Sequence, residues 1–211
     1  MTRRIAVLGG GIMGVSLALR LARRDVAVTL FERESELLQG ASRFNEGKIH
    51  LGCLYSASGG LATARRLLTS GLCFFELMEE VLEQPITHWI APGADHYLVH
   101  RDSVVSADQM QAYMLAVAEL VDAHPDRDRY PDKPRRVDFR RIPLSAAPTA
   151  TGSPITACMR VPERSVATQP LADALTGRAY EQPGLEIRTG TVVRAAELDG
   201  PRAAVLTDQG R

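Results

Sequence analysis

What the sequence lacks narrows its function first. Its 211 residues carry no net charge, with 25 Lys and Arg against 25 Asp and Glu. Without a net positive field, neither nucleic acid nor an anionic membrane surface is an expected partner. No apolar run approaches the roughly 18 residues that cross a bilayer, so no membrane span is expected. The opening stretch Arg4-Ile-Ala-Val-Leu8 meets glycine after four apolar residues and shows no small-residue cleavage pattern, which argues against a secretory signal. Cysteine is scarce: Cys53, Cys73 and Cys158 are odd in number and far apart. They suit buried thiols in a reducing compartment better than a disulfide framework, and nothing ties them with the histidines into a metal set. No serine has a nucleophile-elbow context, so hydrolase chemistry has no support. What is present is a chain of 45% hydrophobic and 24% charged residues, enough to bury a sizeable core. A soluble, cytoplasmic protein of one or two domains is the expectation.

Elements can be read along the chain. Arg4–Leu8 is a short apolar run of the kind that forms a strand buried on both faces. Ile12–Arg24 is helical, with Met13, Leu17 and Leu21 at helical spacing, and Val26–Phe31 is a second strand closing on Glu32. Together they predict a β-α-β unit. Glu34–Leu38 is read as a short helical turn, and Gln39–Tyr55 as a structured loop with room for one short strand. Leu61, Ala64, Leu68, Leu72, Phe75, Met78 and Leu82 predict one helix over 61–82, stopped by Pro85. His88–His100 reads as two strands joined at Pro92-Gly93. Ser106 opens a helix whose apolar positions run to Val121. Asp122–Pro134 is read as an exposed loop, Val137–Ile142 as a strand and Ala146–Pro154 as a linker. A helix over Ser165–Tyr180 and strands at Leu185–Ile187, Thr191–Arg194 and Arg202–Thr207 complete the pattern, with Asp208–Gly210 as a hairpin turn lacking a partner strand. The Arg135-Arg136 and Arg140-Arg141 pairs, diluted by Asp132 and Asp138, read as a solvated face.

The chemistry concentrates at Gly9-Gly10-Gly11-Ile12-Met13-Gly14, which matches G-x-G-x-x-G between a strand and a helix. Gly9 permits the tight turn, Gly11 lets backbone approach a pyrophosphate, and Gly14 lets the helix lie close to the sheet. The helix-start amides hold phosphate charge. Glu32, at the end of the next strand, would accept from the adenosine ribose hydroxyls, and its charge disfavours NADP. The turn alone does not choose between FAD and NAD.

The stretch GGGIMGVSLALRLARRDVAVTLFER, followed by Gly40-Ala41-Ser42-Arg43-Phe44-Asn45-Glu46-Gly47-Lys48-Ile49-His50, resembles the FAD-dependent oxidoreductases of the D-amino-acid oxidase-like superfamily. That group includes glycine and sarcosine oxidases, glycerol-3-phosphate dehydrogenase and 2-hydroxyglutarate oxidases. The resemblance runs from Arg4 to about Leu198 and is specific mainly over residues 4 to 55. It implies that Gly9, Gly11 and Gly14 form the dinucleotide turn and that Ile12 and Met13 offer amides to the pyrophosphate. It also implies Glu32 as the ribose acid, Arg33 on the adenine side, and Ser42 and Arg43 as a second phosphate-contacting segment. Asn45 to Ile49, Gly47 included, would run beside the isoalloxazine ring, and Val193 would meet the adenine through its backbone. One departure is Asp25, where the family commonly has glycine.

Lys48 and His50 are the titratable side chains nearest the implied ring position. Lys48 would stabilise negative charge on the reduced flavin, and His50 would accept a substrate proton. Their alternatives are a lysine facing solvent and a histidine bonded to a backbone carbonyl. His96, Tyr97 and His100 read as ordinary strand decoration in preference to a pocket wall. The expected fold is α/β: a Rossmann-like FAD-binding domain over 1–84 and 155–211, with a smaller α+β substrate region inserted at 85–154. The expected function is FAD-dependent oxidation of a small amine, amino acid or hydroxy acid. The alternatives are a truncated, non-catalytic FAD-binding fragment, because the family's C-terminal part is not found, and an NAD-linked dehydrogenase, which shares the turn and Glu32 but has no use for residues 42 to 50.

Overall fold

The computed structural model describes residues 3–24, 26–148, 152–200 and 202–210. Asp25 and part of the 146–154 stretch lie outside the described residues. In chain order the elements are β1 (Arg4–Leu8), α1 (Ile12–Ala22), β2 (Ala27–Phe31), β3 (Lys48–Ile49), α2 (Ala62–Leu72), α3 (Phe74–Leu82) and β4 (Asp95–His100). They continue with α4 (Ala107–Asp122), β5 (Arg140–Ile142), β6 (Ile155–Val161), β7 (Arg164–Ser165), α5 (Thr168–Glu181), β8 (Leu185–Arg188), β9 (Val193–Asp199) and β10 (Arg202–Thr207). The chain divides into two compact units: Met1–Glu46, Glu80–Pro85 and Ala167–Arg211 form one, and Gly47–Glu79 and Ile86–Val166 the other. The second is larger than the 85–154 insertion expected from sequence, because β3, α2, β6 and β7 belong to it.

In the first unit β1, β2 and β8 form a parallel sheet in the order β1-β2-β8, while β9 and β10 form an antiparallel pair. β2 is the middle strand, and Val28, Leu30 and Phe31 are buried. β1 departs from the expectation of a strand buried on both faces: only Val7 is buried, since β1 is an edge of this sheet. On α1 the buried side chains are Val15, Ala18 and Leu19, at i, i+3 and i+4. The Met13 and Leu17 stripe points the other way, with Met13 81% exposed. Both stripes have helical period, and the sheet buries the one whose Ala18 permits close approach. Arg23 ties the end of α1 to the carbonyls of Glu80 and Val81 at 2.9 and 2.6 Å. Residues 34–38 form bends and a turn rather than a helical turn, with Leu38 in left-handed backbone at φ 61°. β10 finds its partner in β9, so the turn at 208–210 is not what pairs it, contrary to the sequence expectation.

In the second unit β4, β6 and β5 form an antiparallel sheet in the order β4-β6-β5, and β3 pairs antiparallel with β7. The periodic run over 61–82 is two helices instead of one. The interruption falls at Cys73, two residues after Gly71 of the Ser70-Gly71 pair, a combination at which helices kink. Most of the expected face holds: Ala64, Leu68, Leu72, Phe75 and Met78 are buried here, and Leu82 is buried in the first unit, while Leu61 is only half-buried. α4 starts at a capping box between Ser106 and Gln109 and buries Met114, Val117, Ala118 and Val121. Only one of the two strands expected over 88–100 forms. Residues 87–89 are instead a 3₁₀ turn in which the rings of His88 and Trp89 lie 4.4 Å apart, and Ile90 makes a single bridge to Val166. The 122–134 segment is not simply exposed, because Tyr130 is buried edge-on against Phe75, with centroids 5.2 Å apart. Of the strand expected over 137–142, only β5 forms, preceded by a 3₁₀ turn at Arg136–Asp138.

Candidate functional site

The glycine-rich turn of the first unit is closed by a bond from the Gly9 N–H to the Phe31 carbonyl at 2.8 Å, with Gly9 in left-handed backbone at φ 101°. Gly14 is required by space: a Cβ there would stand 1.8 Å from the Gly9 carbonyl oxygen. Gly10 is constrained as well, since a Cβ would meet Leu37 Cδ2 at 2.6 Å and Glu32 Oε2 at 2.9 Å. The motif reading gave Gly10 no role. The Gly10 N–H donates to Glu32 Oε2 at 2.5 Å, and Glu32 Oε1 accepts from the Glu34 N–H at 2.9 Å. The carboxylate at the end of β2 is thereby fixed against the turn. The strand-to-strand link after β8 joins the same place, through the Thr191 N–H bond to the Glu32 carbonyl at 2.9 Å. Val193, two residues further on, begins β9.

Gly11 is the N-cap of α1 and offers no side-chain acceptor to the first turn, whose amides have none within the helix. Ser42 supplies one: its Oγ accepts from the Ile12 N–H at 3.0 Å. Ser42, expected at the second phosphate segment, is thus brought to the same helix N-terminus as Gly11 and Ile12. The next residue, Arg43, pairs through Nη1 with Asp173 at 2.7 Å, while its Nε is buried without a hydrogen-bond partner. Its backbone carbonyl accepts from Thr168 Oγ1 at 2.7 Å, which anchors the segment to the start of α5. Asn45 Nδ2 donates back to the Ala41 carbonyl. Arg33 is exposed and paired with Glu34 at 3.0 Å, and Met13 also stands in solvent. The structure therefore gathers Gly9, Gly10, Gly11, Ile12, Gly14, Glu32 and Ser42, while Arg33 and the Met13 side chain point outward. A helix N-terminus, a Gly14 position with no room for a side chain, a fixed acid and a hydroxyl–guanidinium pair suit a ligand carrying phosphates and a ribose.

Lys48 and His50 belong to the second unit. Lys48 Nζ forms an ion pair with Asp95 at 3.1 Å and stands 4.6 Å over the Tyr97 ring, so it does not simply face solvent. The backbone after it is held on several sides. The Tyr113 hydroxyl donates to the Gly52 carbonyl at 3.1 Å and the Tyr130 hydroxyl to the Ile49 carbonyl at 3.4 Å. Gly71 lets α2 approach the His50 carbonyl, where a Cβ would come within 2.2 Å. Gly52, at φ 112°, admits Ala64 in the same way.

The organiser of this segment is Glu163, which sequence reasoning missed. It is fully buried. Its Oε1 accepts from the Leu51 N–H at 2.7 Å and the Cys53 N–H at 3.3 Å, and its Oε2 accepts from the Tyr97 hydroxyl at 2.5 Å. His50 Nδ1 faces the same Oε2 at 3.8 Å. Burial pushes the Glu163 carboxyl up, but the facing His50, the Tyr97 hydroxyl and the Leu51 N–H outweigh it and hold the group below its ordinary value. Burial and the Glu163 charge push the Tyr97 phenol well above its usual range, and burial pushes Tyr113 up to about 12. The available signal was a carboxylate set between Pro162 and Arg164 at the end of an apolar strand. Tyr97, read from sequence as strand decoration, is part of this cluster. His96 and His100 are four residues apart on β4, a span of about 13 Å in a strand, so they do not share a ligand. Among the described residues no group of three or more His, Cys, Asp or Glu is placed to hold a metal ion, and no helix is long and apolar enough to cross a membrane.

A β-α-β unit with this glycine-rich turn defines the class of fold as Rossmann-like. Comparison with known proteins makes the assignment specific: the profile of the family described as DAO, FAD dependent oxidoreductase, matches residues 4–211, and the chain belongs to that family. Its cofactor is FAD, which sets aside the NAD-linked alternative. Glycerol-3-phosphate dehydrogenase 1 of Mycobacterium bovis is 44% identical over 62 residues, covering 29% of this chain and 12% of that protein. Among solved structures, glycine oxidase from Geobacillus kaustophilus superposes with a TM-score of 0.64 at 19% identity, over 99% of this chain and 53% of that one. L-α-glycerophosphate oxidase from Mycoplasma pneumoniae, solved with FAD bound, gives 0.60 at 18% identity, over 99% and 50%. The chain thus spans about half the length of these two structures.

Proposed function

We propose that this chain binds FAD through its first unit and contributes to the oxidation of a small amine, amino acid or hydroxy acid. The observation that carries the reading is the turn itself: Gly14 pressed on the Gly9 carbonyl, Glu32 fixed by the Gly10 N–H, and Ser42 at the start of α1. Glu32 would hold the ribose hydroxyls. The first-turn amides, Ser42 and Arg43 would hold the pyrophosphate, with the buried Arg43 Nε as a free donor. Asn45 and Gly47 would border the flavin ring, and the Val193 backbone the adenine. The first unit corresponds to the FAD-binding domain and the second to the substrate region, with the boundaries at the units' own limits. When bound, FAD supplies hydride-accepting chemistry toward a C–H beside an amine or hydroxyl. His50 would take the substrate's N–H or O–H proton, and Lys48 would place positive charge near the ring. Three buried, unpaired thiols support a cytoplasmic location.

Coverage of only 53% and 50% of the two oxidase structures supports a second reading, in which this chain binds FAD without turning over substrate. One experiment separates the two. The purified chain is loaded with FAD, made anaerobic and mixed in turn with amines, amino acids and hydroxy acids while flavin absorbance is followed. Bleaching by a member of the panel supports oxidation, FAD retained without bleaching supports the second reading, and failure to retain FAD refutes both.

A further inference from the structure

We propose that Glu163 is a positioning residue that fixes the His50 imidazole with its proton on Nδ1, leaving the Nε2 lone pair as the proton-accepting atom. This inference rests on the reading of His50 as the group that takes the substrate's proton. Three observations carry it.

The first is the placement of Nδ1. It is buried, lacks a hydrogen-bond partner and lies 3.8 Å from Glu163 Oε2. A neutral imidazole has one N–H and one lone pair. A lone pair on Nδ1 would face a carboxylate oxygen, two electron-rich atoms turned toward each other away from water. An N–H there faces a charged acceptor instead, and a slight ring rotation brings it to hydrogen-bond distance.

The second is that the carboxylate cannot turn away. Both oxygens are engaged, Oε1 by the Leu51 and Cys53 N–H groups and Oε2 by the Tyr97 hydroxyl. Those donors favour the ionised form, so the partner facing His50 is an acceptor and not an O–H. The third is that the segment carrying the imidazole is closely packed. Its backbone is gripped by Gly71 of α2 against the His50 carbonyl, and the imidazole ring lies edge-on to Tyr55 with centroids 6.3 Å apart. The other charges facing the cluster, Lys48 and Asp95, are paired with each other at 3.1 Å and offset one another. Glu163 touches no reacting atom. It acts through His50, and when Nε2 takes a proton the resulting imidazolium lies beside a fixed negative charge. Only a proton moves in that step, from the substrate N–H or O–H to Nε2.

The test is the histidine tautomer, read from the imidazole ¹⁵N shifts of the labelled chain at pH 8, with His50 assigned by its disappearance in His50→Asn. The expected result is an excess of about tenfold or more of the Nδ1–H form at His50. In Glu163→Gln the side-chain amide can itself donate to Nδ1, so the excess should fall below one. In Tyr97→Phe the carboxylate remains and the excess should persist. A wild-type His50 protonated on Nε2 overturns the proposal, as does loss of the preference in Tyr97→Phe. Should Glu163→Gln fail to fold, the wild-type and Tyr97→Phe spectra still decide. A merely structural glutamate would leave the tautomer of a folded variant unchanged. No flavin is needed for the measurement, so failure of this proposal and failure of FAD binding are read separately.

Discussion

The contact between Gly14 and the Gly9 carbonyl makes a single added methyl group the sharpest probe of the turn. In Gly14→Ala the new Cβ would stand 1.8 Å from a backbone oxygen, with Val7 Cγ1 3.6 Å away. A relaxed carbon–oxygen contact is about 3.3 Å, so the start of α1 must shift by about 1.5 Å, or the turn must open. Alanine inside a helix is otherwise favoured over glycine by about 1 kcal/mol. Overpacking against backbone costs about 3 kcal/mol, so a net loss near 2 kcal/mol is expected. The same displacement takes the first-turn amides from their alignment with the pyrophosphate, and FAD affinity should fall by at least about tenfold. Urea unfolding followed by far-ultraviolet circular dichroism gives the first quantity, and quenching of flavin fluorescence gives the second. Two controls calibrate the series. Gly11→Ala meets only Ser42 Oγ at 3.3 Å and should stay within about 0.5 kcal/mol of wild type. Gly177→Ala, in the body of α5 with nothing within 4 Å, should stabilise by about 0.5–1 kcal/mol. A Gly14→Ala chain as stable as wild type and binding FAD equally well would refute the close-approach argument.

Two further outcomes follow from the second unit. Because Glu163 is held below its ordinary value of 4.5, the folded chain binds fewer protons there than the unfolded one. The stabilisation is therefore whole above pH 4.5 and is lost as pH falls through the folded value. Urea midpoints should decline on acidification over that window, and less steeply in Glu163→Gln; an unchanged slope would show that Glu163 is not the titrating group. Tyr130→Phe keeps the ring against Phe75 but leaves the Arg164 N–H, now bonded to the Tyr130 hydroxyl at 2.8 Å, without its acceptor. A loss of about 1–2 kcal/mol is expected from urea titration followed by tryptophan emission, and a neutral result would mean that water replaces the hydroxyl.

The turn was legible in the sequence because its parts are local. A strand, spaced glycines, a helix and the acid closing the next strand all fall between Arg4 and Glu32, and each is recognised from its neighbours. Ser42 came from family resemblance, and the structure places its hydroxyl on the amide of Ile12 at the start of α1. Helical period was legible too, but on α1 it did not say which of two stripes the sheet would cover. Glu163 was illegible for the opposite reason. Its partners Leu51 and Tyr97 lie 112 and 66 positions away, and only the antiparallel β3–β7 and β4–β6 pairings bring them together. A lone glutamate after an apolar strand looks like any solvated residue until those ladders close. Tyr130 was misread likewise, because the charged residues around it suggested water while its ring entered the core.

The ring pair at 88–89 has a practical consequence for optical work on this molecule. The chain contains one tryptophan, Trp89, and it belongs to the second unit. Its emission therefore tracks that unit alone, and an isolated collapse of the first would leave the emission spectrum silent. A single smooth fluorescence transition would not demonstrate cooperative, all-or-none melting of the whole chain. Only its coincidence with the circular dichroism curve would, and a gap between the two curves would reveal an intermediate in which one unit has melted.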